Sequence, residues 1–409
     1  MEDFDYGIIG GGPAGYTAGM MFARQGKTVV LFEKDNLGGT CLNKGCIPTK
    51  SFLHASNVYS QMKNMSMYGI NADNITFDFS KIIENKKQTV ERIRKSLELA
   101  VKNSGVKVIY AEACIKDKNT IIANNEEYPV KKVILATGSK PREINGLEFD
   151  GNFILSSDDI LKLEELPKSI LIVGSGAIGI EWARIMSNFG VDVTMTEMAE
   201  HLIPLADTEV SKRIERIFKQ KKIKFFLNDS IEKIDGQNII LKSKNTVTAE
   251  KILVAAGRVP VCPKCECESV LGDACGEIQL AHYAIHQAKA IALGIPFDKN
   301  LVPSVIYGEP EIAWVGLREQ DIDETYKKSM LPVTALGKAW CDNCTDGFIK
   351  LITKEDKIYG AHIVSKEASS LIHILLTAIQ NNLKVSDIKK MCFAHPTYAE
   401  GIFDLLMSL

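Results

Sequence analysis

Two glycine-rich segments of this chain share the same internal spacing. Residues 10–15 and residues 174–179 both have the form G-x-G-x-x-G, and an apolar run precedes each of them. Glu33 and Glu197 stand at the same distance from the first glycine of their segments. The pattern predicts a strand, a tight turn, a helix and a second strand, with a pyrophosphate at the helix N-terminus and the carboxylate on a ribose. Two complete copies predict that the chain binds two dinucleotides.

A pair of cysteines follows the first glycine segment. Cys41 and Cys46 lie in the glycine-rich segment 38–50, and Pro48 after them is a helix-start signal. Cys46 is therefore expected near a helix N-terminus, where the helix dipole lowers the pKa of a thiol. A short loop of this kind suits a disulfide that opens and closes. The alternative is two buried free thiols.

The cysteine segment resembles the active-site signature of the flavoprotein disulfide reductases. Other parts of the chain resemble the same family, namely residues 136–139, 255–258, 272–273, 280–282 and 394–400. The resemblance implies an α/β fold with two Rossmann-like dinucleotide-binding domains, one for FAD and one for NAD. It also implies a C-terminal α+β dimerisation domain.

Predicted strands that end in small residues indicate where the domains meet. We expect the first part of the FAD-binding domain at 1–142 and the NAD-binding domain at 143–259. A shortened returning part of the FAD-binding domain would follow at 260–299. The C-terminal domain, which would form the subunit interface, is predicted at 300–409.

The resemblance also assigns roles to side chains around the cysteines. Cys46 would face the flavin and Cys41 would exchange with the substrate thiol. Lys50, one helical turn beyond Cys46, would pair with Glu181 beside the flavin. Both charged residues would take part in catalysis and also contact a cofactor.

His395 and Glu400 stand in the segment His-Pro-Thr-x-x-Glu near the C-terminus. Imidazole is suited to deprotonating a thiol near neutral pH, and a carboxylate on one ring nitrogen fixes the tautomer. In the family this dyad reaches the disulfide of the opposite subunit. The resemblance therefore implies a homodimer.

Further residues are expected to contact the two cofactors. Besides Lys50, the FAD contacts implied by the resemblance are Gly10, Gly12, Gly15, Glu33, Gly39, Thr40, Thr137, Gly138, Ser139, Asp273, Leu280, Ala281 and His282. Besides Glu181, the NAD contacts are Gly174, Gly176, Ile178, Gly179, Glu197 and Gly257. Glu197 can bond a ribose 2′-hydroxyl and would repel a 2′-phosphate, so NAD is expected rather than NADP.

The chain departs from the family pattern between residues 260 and 272. The family usually has several strands here, but only residues 261–271 stand in their place. We therefore expect FAD to bind, but more weakly than in relatives of full length. Cysteines here and near residue 342 could bind zinc or an iron–sulfur cluster, although free thiols and no metal are favoured. These cysteines are Cys262, Cys265, Cys267, Cys275, Cys341 and Cys344.

Composition excludes several classes of partner. The net charge of −2 in a chain of 409 residues gives no electrostatic reason to expect nucleic acid or an anionic membrane surface. No apolar run reaches the roughly 18 residues needed to cross a bilayer. The first predicted strand begins close to Met1, which leaves no room for a signal peptide, so a cytoplasmic protein is expected.

These observations predict an NAD-linked flavoprotein most similar to the dihydrolipoamide dehydrogenases. It would oxidise dihydrolipoyl groups to the lipoyl disulfide and reduce NAD⁺ to NADH. The substrate would be a lipoyl domain, as in a 2-oxoacid dehydrogenase or glycine cleavage complex, or a small dithiol. Two alternatives remain: an NAD(P)H-dependent reductase of another disulfide, such as a glutathione-type compound, and a catalytically impaired scaffold subunit.

Overall fold

The structure is a computed structural model that describes residues 3–263 and 267–409. Within these residues the strands form five sheets, distributed over three successive parts of the chain. Short 3-10 helices lie between the main elements, at Met65–Tyr68, Ile160–Lys162, Gly272–Cys275, Lys299–Leu301, Glu319–Asp321 and Val333–Ala335.

The first part contains the first glycine segment and the cysteine pair. Its elements are β1 (Phe4–Ile9), α1 (Pro13–Arg24), β2 (Val29–Glu33), α2 (Gly39–Lys44), α3 (Cys46–Lys63), α4 (Phe79–Asn103), β3 (Lys107–Tyr110), β4 (Ala113–Asp117), β5 (Thr120–Ala123), β6 (Glu126–Leu135) and β7 (Ser139–Pro141). Strands β3, β2, β1 and β6 run parallel in that order, and β5 and β4 extend the sheet in the antiparallel sense. The glycine turn and Glu33 therefore lie together at the carboxyl edge of the parallel strands, as predicted.

The second part repeats this arrangement around the second glycine segment. Its elements are β8 (Ile154–Leu155), β9 (Ser169–Val173), α5 (Ala177–Phe189), β10 (Asp192–Thr196), α6 (Thr208–Gln220), β11 (Lys224–Phe226), β12 (Ile231–Asp235), β13 (Asn238–Leu241), β14 (Thr246–Thr248), β15 (Lys251–Val254) and β16 (Arg258–Pro260). Strands β11, β10, β9, β15 and β8 form a parallel sheet, whereas β12 to β14 form a small antiparallel one. Strand β16 returns to pair with β7 of the first part.

The third part first completes the first sheet and then forms its own. Its elements are β17 (Ser269–Val270), α7 (Ala281–Leu293), β18 (Ser304–Ile306), β19 (Glu311–Gly316), β20 (Lys327–Pro332), α8 (Gly337–Cys341), β21 (Phe348–Lys354), β22 (Lys357–Ser365), α9 (Ala368–Gln380), α10 (Val385–Ile388) and α11 (Glu400–Met407). Strand β17 pairs parallel with β6, and α7 packs against α1. Strands β18, β19, β22, β21 and β20 form an antiparallel sheet against which α9 packs.

The packing of α3 against α5 joins the first two parts of the chain. Phe52 on α3 and Trp182 on α5 are both buried, with ring centroids 5.8 Å apart. The same core continues into the third part through Ile306 and Ile312. The helix that begins at Cys46 is therefore held by apolar contacts with the second nucleotide-binding fold.

Candidate active site

The two glycine turns have the same backbone geometry. Gly10 and Gly174 have φ values of +106° and +98°, which side-chain-bearing residues rarely adopt. A Cβ on Gly15 would lie 1.8 Å from the Gly10 carbonyl oxygen, and one on Gly179 would lie 2.1 Å from that of Gly174. Among the described residues, no side chain caps the N-terminus of α1 or of α5. The first-turn amides of both helices are thus left for a pyrophosphate, as the binding of two dinucleotides requires.

The acidic residues after the second strands are fixed in equivalent ways. Glu33 Oε2 accepts a hydrogen bond from the Gly11 amide at 2.8 Å, and Glu197 Oε2 accepts one from the Ser175 amide at 2.8 Å. The Ser175 hydroxyl adds a second bond to Glu197 at 2.7 Å. Both carboxylates are therefore held beside the glycine turn, where a ribose would be bound.

The remaining expected cofactor residues surround these two turns. Gly39 and Thr40 open α2, and a Cβ on Gly39 would lie 2.7 Å from the Gly12 Cα. Leu280 precedes α7, whose first residue is Ala281, and His282 Nε2 lies 2.7 Å from the Pro303 carbonyl oxygen. The others follow strands β6 and β15 or lie at the N-terminus of α5, namely Thr137, Gly138, Gly257, Gly176 and Ile178.

Two consecutive helices, the short α2 and the longer α3, position the cysteine pair. Cys41 lies on α2, and Cys46 is the first residue of α3, as the sequence predicted. Asn43 between them donates its Nδ2 to the carbonyls of Asn36, Leu37 and Gly39. The sequence analysis missed Asn43, although an asparagine inside a short glycine-bounded segment is a signal for local backbone hydrogen bonding.

The two thiols differ strongly in acidity. Hydrogen bonding with Cys41, aided by the Lys50 ammonium, lowers the pKa of Cys46 to about 7. Hydrogen bonding with Cys46 and burial raise the pKa of Cys41. The pair therefore loses its first proton from Cys46, whose place at the start of α3 also favours a thiolate. Both cysteines are free thiols in this structure.

A partly buried ion pair lies beside Cys46. Lys50 Nζ is 2.9 Å from each carboxylate oxygen of Glu181, which is 5% exposed. Burial opposes the charge on Lys50, but Glu181 outweighs it and the pKa of Lys50 is raised. The Tyr307 amide donates to Glu181 Oε1 at 3.1 Å, and the Tyr307 ring centroid lies 4.6 Å from Lys50 Nζ. Tyr307 was not identified from the sequence.

The shortened segment still places Asp273 at the edge of the first sheet. Strand β17 pairs with β6 through Ser269 and Val270, and the Leu271 amide continues the ladder to the Leu135 carbonyl. Asp273 Oδ2 accepts from the Ser139 hydroxyl at 2.6 Å. Arg258 donates to that hydroxyl at 2.8 Å, so the Gly272–Asp273 turn is held in register without a long strand.

His395 and Glu400 form the predicted dyad. His395 Nδ1 lies 2.8 Å from Glu400 Oε1, and the Thr397 amide donates to Glu400 Oε2 at 2.8 Å. These two bonds, that of Thr397 first, lower the pKa of Glu400. The His395 side chain is 79% exposed, and within the described residues no hydrogen bond joins it to Cys41 or Cys46 of its own chain.

Neither a metal site nor a membrane span is found in the described part of the chain. No group of three or more His, Cys, Asp or Glu side chains is placed to hold a metal ion at residues 3–263 and 267–409. Cys265 lies outside these residues. In the same ranges, no helix is both long enough and apolar enough to cross a bilayer.

The geometry defines an oxidoreductase that binds two dinucleotides and has an ionisable dithiol between them. The sequence profile of the pyridine nucleotide-disulphide oxidoreductases matches residues 4–284, and that of their dimerisation domain matches residues 302–405. The chain belongs to this family.

Curated relatives match the chain over nearly its whole length. A dihydrolipoyl dehydrogenase of Bacillus subtilis is 33% identical, with 98% of this chain and 96% of the relative covered. One of Chlamydia pneumoniae is also 33% identical, with 98% and 95% covered. Among solved structures, LpdA of Mycobacterium tuberculosis has a TM-score of 0.90 at 23% identity, with 98% and 99% covered. The HOCl-induced flavoprotein disulfide reductase RclA of Escherichia coli has a TM-score of 0.87 at 24% identity, with 99% of both chains covered. At these identities the structural matches confirm the predicted α/β fold.

Proposed function

We propose that the chain is an FAD-dependent enzyme that oxidises dihydrolipoyl groups and reduces NAD⁺. The observation on which this rests is the position of the Cys41–Cys46 pair, with Cys46 at the start of α3 and close to the Lys50–Glu181 ion pair. The curated relatives are named dihydrolipoyl dehydrogenases, which favours this substrate over a glutathione-type disulfide. The same names disfavour a catalytically impaired scaffold subunit.

The cysteine pair undergoes thiol–disulfide exchange with the substrate. One substrate thiolate attacks Cys41 Sγ, which breaks the Cys41–Cys46 bond and leaves Cys46 as a thiolate. The second substrate thiol then displaces Cys41 and closes the lipoyl disulfide. Two electrons now reside on the reduced pair. The hydrogen bond from Cys41 and the charge of Lys50 stabilise the thiolate that forms on Cys46.

The residues that would hold FAD and NAD fit those cofactors. The uncapped first turns of α1 and α5 would bind the pyrophosphates, while Glu33 and Glu197 would bind the riboses. When bound, FAD supplies the two-electron chemistry that connects a dithiol with a nicotinamide. Asp273, fixed by Ser139, would contact the FAD chain.

The dimerisation-domain match supports a homodimer. His395 would act on the cysteine pair of the opposite subunit, where it removes a proton from the substrate thiol while Glu400 holds its Nδ1. The high exposure of His395 and its lack of a described hydrogen bond to its own cysteines support this assignment. The domain limits at residues 142, 259 and 299, the cytoplasmic location and the 2-oxoacid dehydrogenase or glycine cleavage complex as host belong to the same proposal.

The function is tested by following NADH formation from NAD⁺ and dihydrolipoamide. We expect turnover by the unchanged protein and none by Cys41→Ser. Turnover of glutathione disulfide with NADPH, but none of dihydrolipoamide, would favour the other reductase. No turnover of either, with FAD not bound, would favour the scaffold.

The subunit assignment of His395 is tested with mixed dimers. Cys41→Ser and His395→Gln chains are each expected to be inactive as homodimers. A heterodimer of the two recovers one complete site only if His395 acts across the interface, because Cys41 and His395 then come from different chains. A heterodimer without activity would contradict the assignment.

A further inference from the structure

Arg184 is a buried cation that the proposed reaction does not use. It lies on α5, one turn after Glu181, and is 1% exposed. Its Nη1 donates to the Tyr307 carbonyl at 3.0 Å and to the Pro310 carbonyl at 2.8 Å. Nε and Nη2 have no hydrogen-bond partner among the described residues. Burial of a charged guanidinium costs free energy, because the charge loses its hydration and must be compensated by the surrounding groups.

The carbonyls that Arg184 binds belong to the segment that completes the ion pair beside Cys46. The Tyr307 amide donates to Glu181, and the Tyr307 ring lies against Lys50. Tyr307 is therefore bound from both sides by the same helix, through its amide by Glu181 and through its carbonyl by Arg184. Neither contact is local in sequence, so both depend on the packing of α5 against residues 307–310.

The backbone of this segment is shaped around the guanidinium. Gly308 has φ of +147°, and a Cβ built on it would lie 2.0 Å from Arg184 Nη1. Only glycine leaves room for the arginine without strain at this position. The Arg184 guanidinium therefore occupies the space that a side chain at position 308 would need.

Arg184 remains a cation at neutral pH. Burial lowers its pKa to about 10, while the charges of Glu181, Glu309 and Glu311 oppose that fall. Lys221 is a second cation nearby, and burial together with Arg184 lowers its pKa. The guanidinium therefore also supplies positive charge close to Glu181.

We propose that Arg184 is a positioning residue of the redox centre. By binding the Tyr307 and Pro310 carbonyls, it keeps the Tyr307 amide on Glu181 and so holds the Lys50 ammonium beside Cys46. The inference rests on the proposed function only in taking Cys41 and Cys46 as the redox pair. Because Arg184 touches neither cysteine, its effect must pass through Glu181 and Lys50.

The direction of the effect follows from the groups around Cys46. Cys41 and Lys50 lower its pKa, whereas burial and Glu181 raise it; the hydroxyls of Tyr307 and Tyr16 also interact with it. Loss of Arg184 frees Lys50 to move away and leaves the Glu181 charge less compensated. Both changes raise the pKa of Cys46.

The test measures the Cys46 thiolate in holoenzyme that also contains Cys41→Ser. A single thiolate beside the flavin gives a long-wavelength absorbance band, and its pH midpoint reports the Cys46 pKa without any substrate. We expect Arg184→Met to raise this midpoint by about half a unit or more, a roughly twofold or greater loss of thiolate at the parent midpoint. Arg184→Lys retains the positive charge but lacks the planar guanidinium group, so it should raise the midpoint less.

Arg318 provides a matched control for general destabilisation. Its Nη1 donates to the Leu205 carbonyl at 3.3 Å, so it also joins the third part of the chain to the second. Its hydrogen bonds within the described residues go to Leu205 and Asp321, not to the groups of the redox centre. Arg318→Met and Arg318→Lys should leave the midpoint unchanged. If Arg184→Met does not fold, Arg184→Lys disturbs the same contact more mildly and should also raise the midpoint. Gly308→Ala is an independent variant that displaces the guanidinium by a direct clash and should raise it as well.

The outcomes separate this role from the proposed function. A band with an unchanged midpoint in every folded Arg184 and Gly308 variant would overturn the positioning role alone. An equal shift in the Arg318 variants would also overturn it, since the effect would then reflect loosened packing in general. A parent protein that binds FAD but shows no band would contradict the proposed redox centre, and the role of Arg184 with it.

Discussion

Lys50 Nζ lies 2.9 Å from both carboxylate oxygens of Glu181, although 131 residues separate the two in sequence. Lys50 is on α3 of the first nucleotide-binding fold and Glu181 is on α5 of the second. The Phe52–Trp182 contact packs the two helices together. The ion pair therefore links the cysteine pair to the second dinucleotide fold, and its two charges should have opposite effects on Cys46.

Replacement of either member of this ion pair should shift the pKa of Cys46. Lys50→Met removes the cation that lowers it, so the pH midpoint of the long-wavelength band in Cys41→Ser holoenzyme should rise. Glu181→Gln removes the carboxylate charge that raises it but keeps an amide oxygen that can accept from Lys50 and from the Tyr307 amide, so the same midpoint should fall. Each variant is the control for the other. Shifts of the two midpoints in the same direction would contradict the placement of both charges near Cys46.

The two cysteines should behave differently when replaced singly. Cys41→Ser should show the long-wavelength band before any reductant is added, whereas Cys46→Ser should lack it after two-electron reduction. Alkylation of the reduced wild-type pair should accelerate as pH rises through about 7, because Cys46 titrates there. In Cys46→Ser the same labelling, followed on the peptide that contains both positions, should accelerate only above the ordinary thiol pKa, because burial raises the pKa of Cys41. Identical behaviour of the two variants would refute the assignment of roles.

Cofactor choice should depend on Glu197. Its carboxylate is held by the Ser175 amide and hydroxyl at the end of β10, where it would repel a ribose 2′-phosphate. Glu197→Ala should shift selectivity from NAD⁺ toward NADP⁺ by about 1–3 kcal/mol in kcat/KM. Steady-state kinetics with both cofactors measure this, with Glu200→Ala as the control on an adjacent exposed carboxylate. A wild-type preference for NADP⁺ would contradict the prediction.

FAD affinity should depend on Ser139. Its hydroxyl accepts a hydrogen bond from Arg258 and donates one to Asp273. These bonds fix Asp273, which directly follows the shortened segment 261–271. Ser139→Ala should weaken FAD binding by about 1 kcal/mol, or roughly fivefold in Kd, because Asp273 loses one hydrogen bond. Isothermal titration of the FAD-free protein measures this. Ser157→Ala removes a longer contact to Arg258 at 3.3 Å and one to Asp158 at 3.4 Å, neither of which involves Asp273, and should change the affinity less.

A buried charge cluster should make the fold sensitive to Lys350. Lys350 Nζ lies 2.7 Å from Asp207 Oδ1, and both side chains are almost completely buried. Lys350→Met removes the ammonium group that neutralises the buried Asp207 and should lower the free energy of unfolding by about 3–5 kcal/mol in urea titrations. The exposed Lys212→Met, which breaks a surface pair with Glu209, should change it little.

The same cluster predicts how stability depends on pH. Burial opposes the charge on Asp207, but His362 and Lys350 outweigh it and lower the pKa of this carboxyl below 3.8. The corresponding stability is present above about pH 3.8 and is lost as the pH falls through the lower folded value. Burial also lowers the pKa of His362, so stability falls further as the pH drops below about 6.5. Unfolding midpoints between pH 7 and pH 3 should therefore decrease, and Lys350→Met should flatten the most acid part of this dependence.

Features set by the local backbone were predictable from the sequence. The glycine turns, the acidic residues after β2 and β10 and the start of α3 at Cys46 all follow from spacing, because each requirement lies within one strand–turn–helix unit. The His395–Glu400 contact was also foreseeable, since five residues and a short turn separate the two. Pairing of Lys50 with Glu181 was expected from family resemblance alone.

Other contacts could not be foreseen because their partners lie far apart in the chain. The shortened segment suggested weak support for Asp273, yet two residues of β17 retain the parallel register with β6, and Ser139 binds the aspartate. Nothing in the sequence indicated that Arg184 would bind carbonyls of residues 307 and 310. Each of these contacts exists only where separate elements pack together.

The sequence by itself thus determined the two dinucleotide folds, the cysteine pair at a helix N-terminus and the histidine–glutamate dyad. These depend on backbone conformation and on neighbours within a few residues. The tertiary structure alone decided which buried charges surround Cys46 and what holds them, since α3, α5 and the segment at Tyr307 meet only in the folded core. The acidity of Cys46 depends on those long-range contacts because electrostatic effects in a buried site are set by distance and desolvation, not by order along the chain.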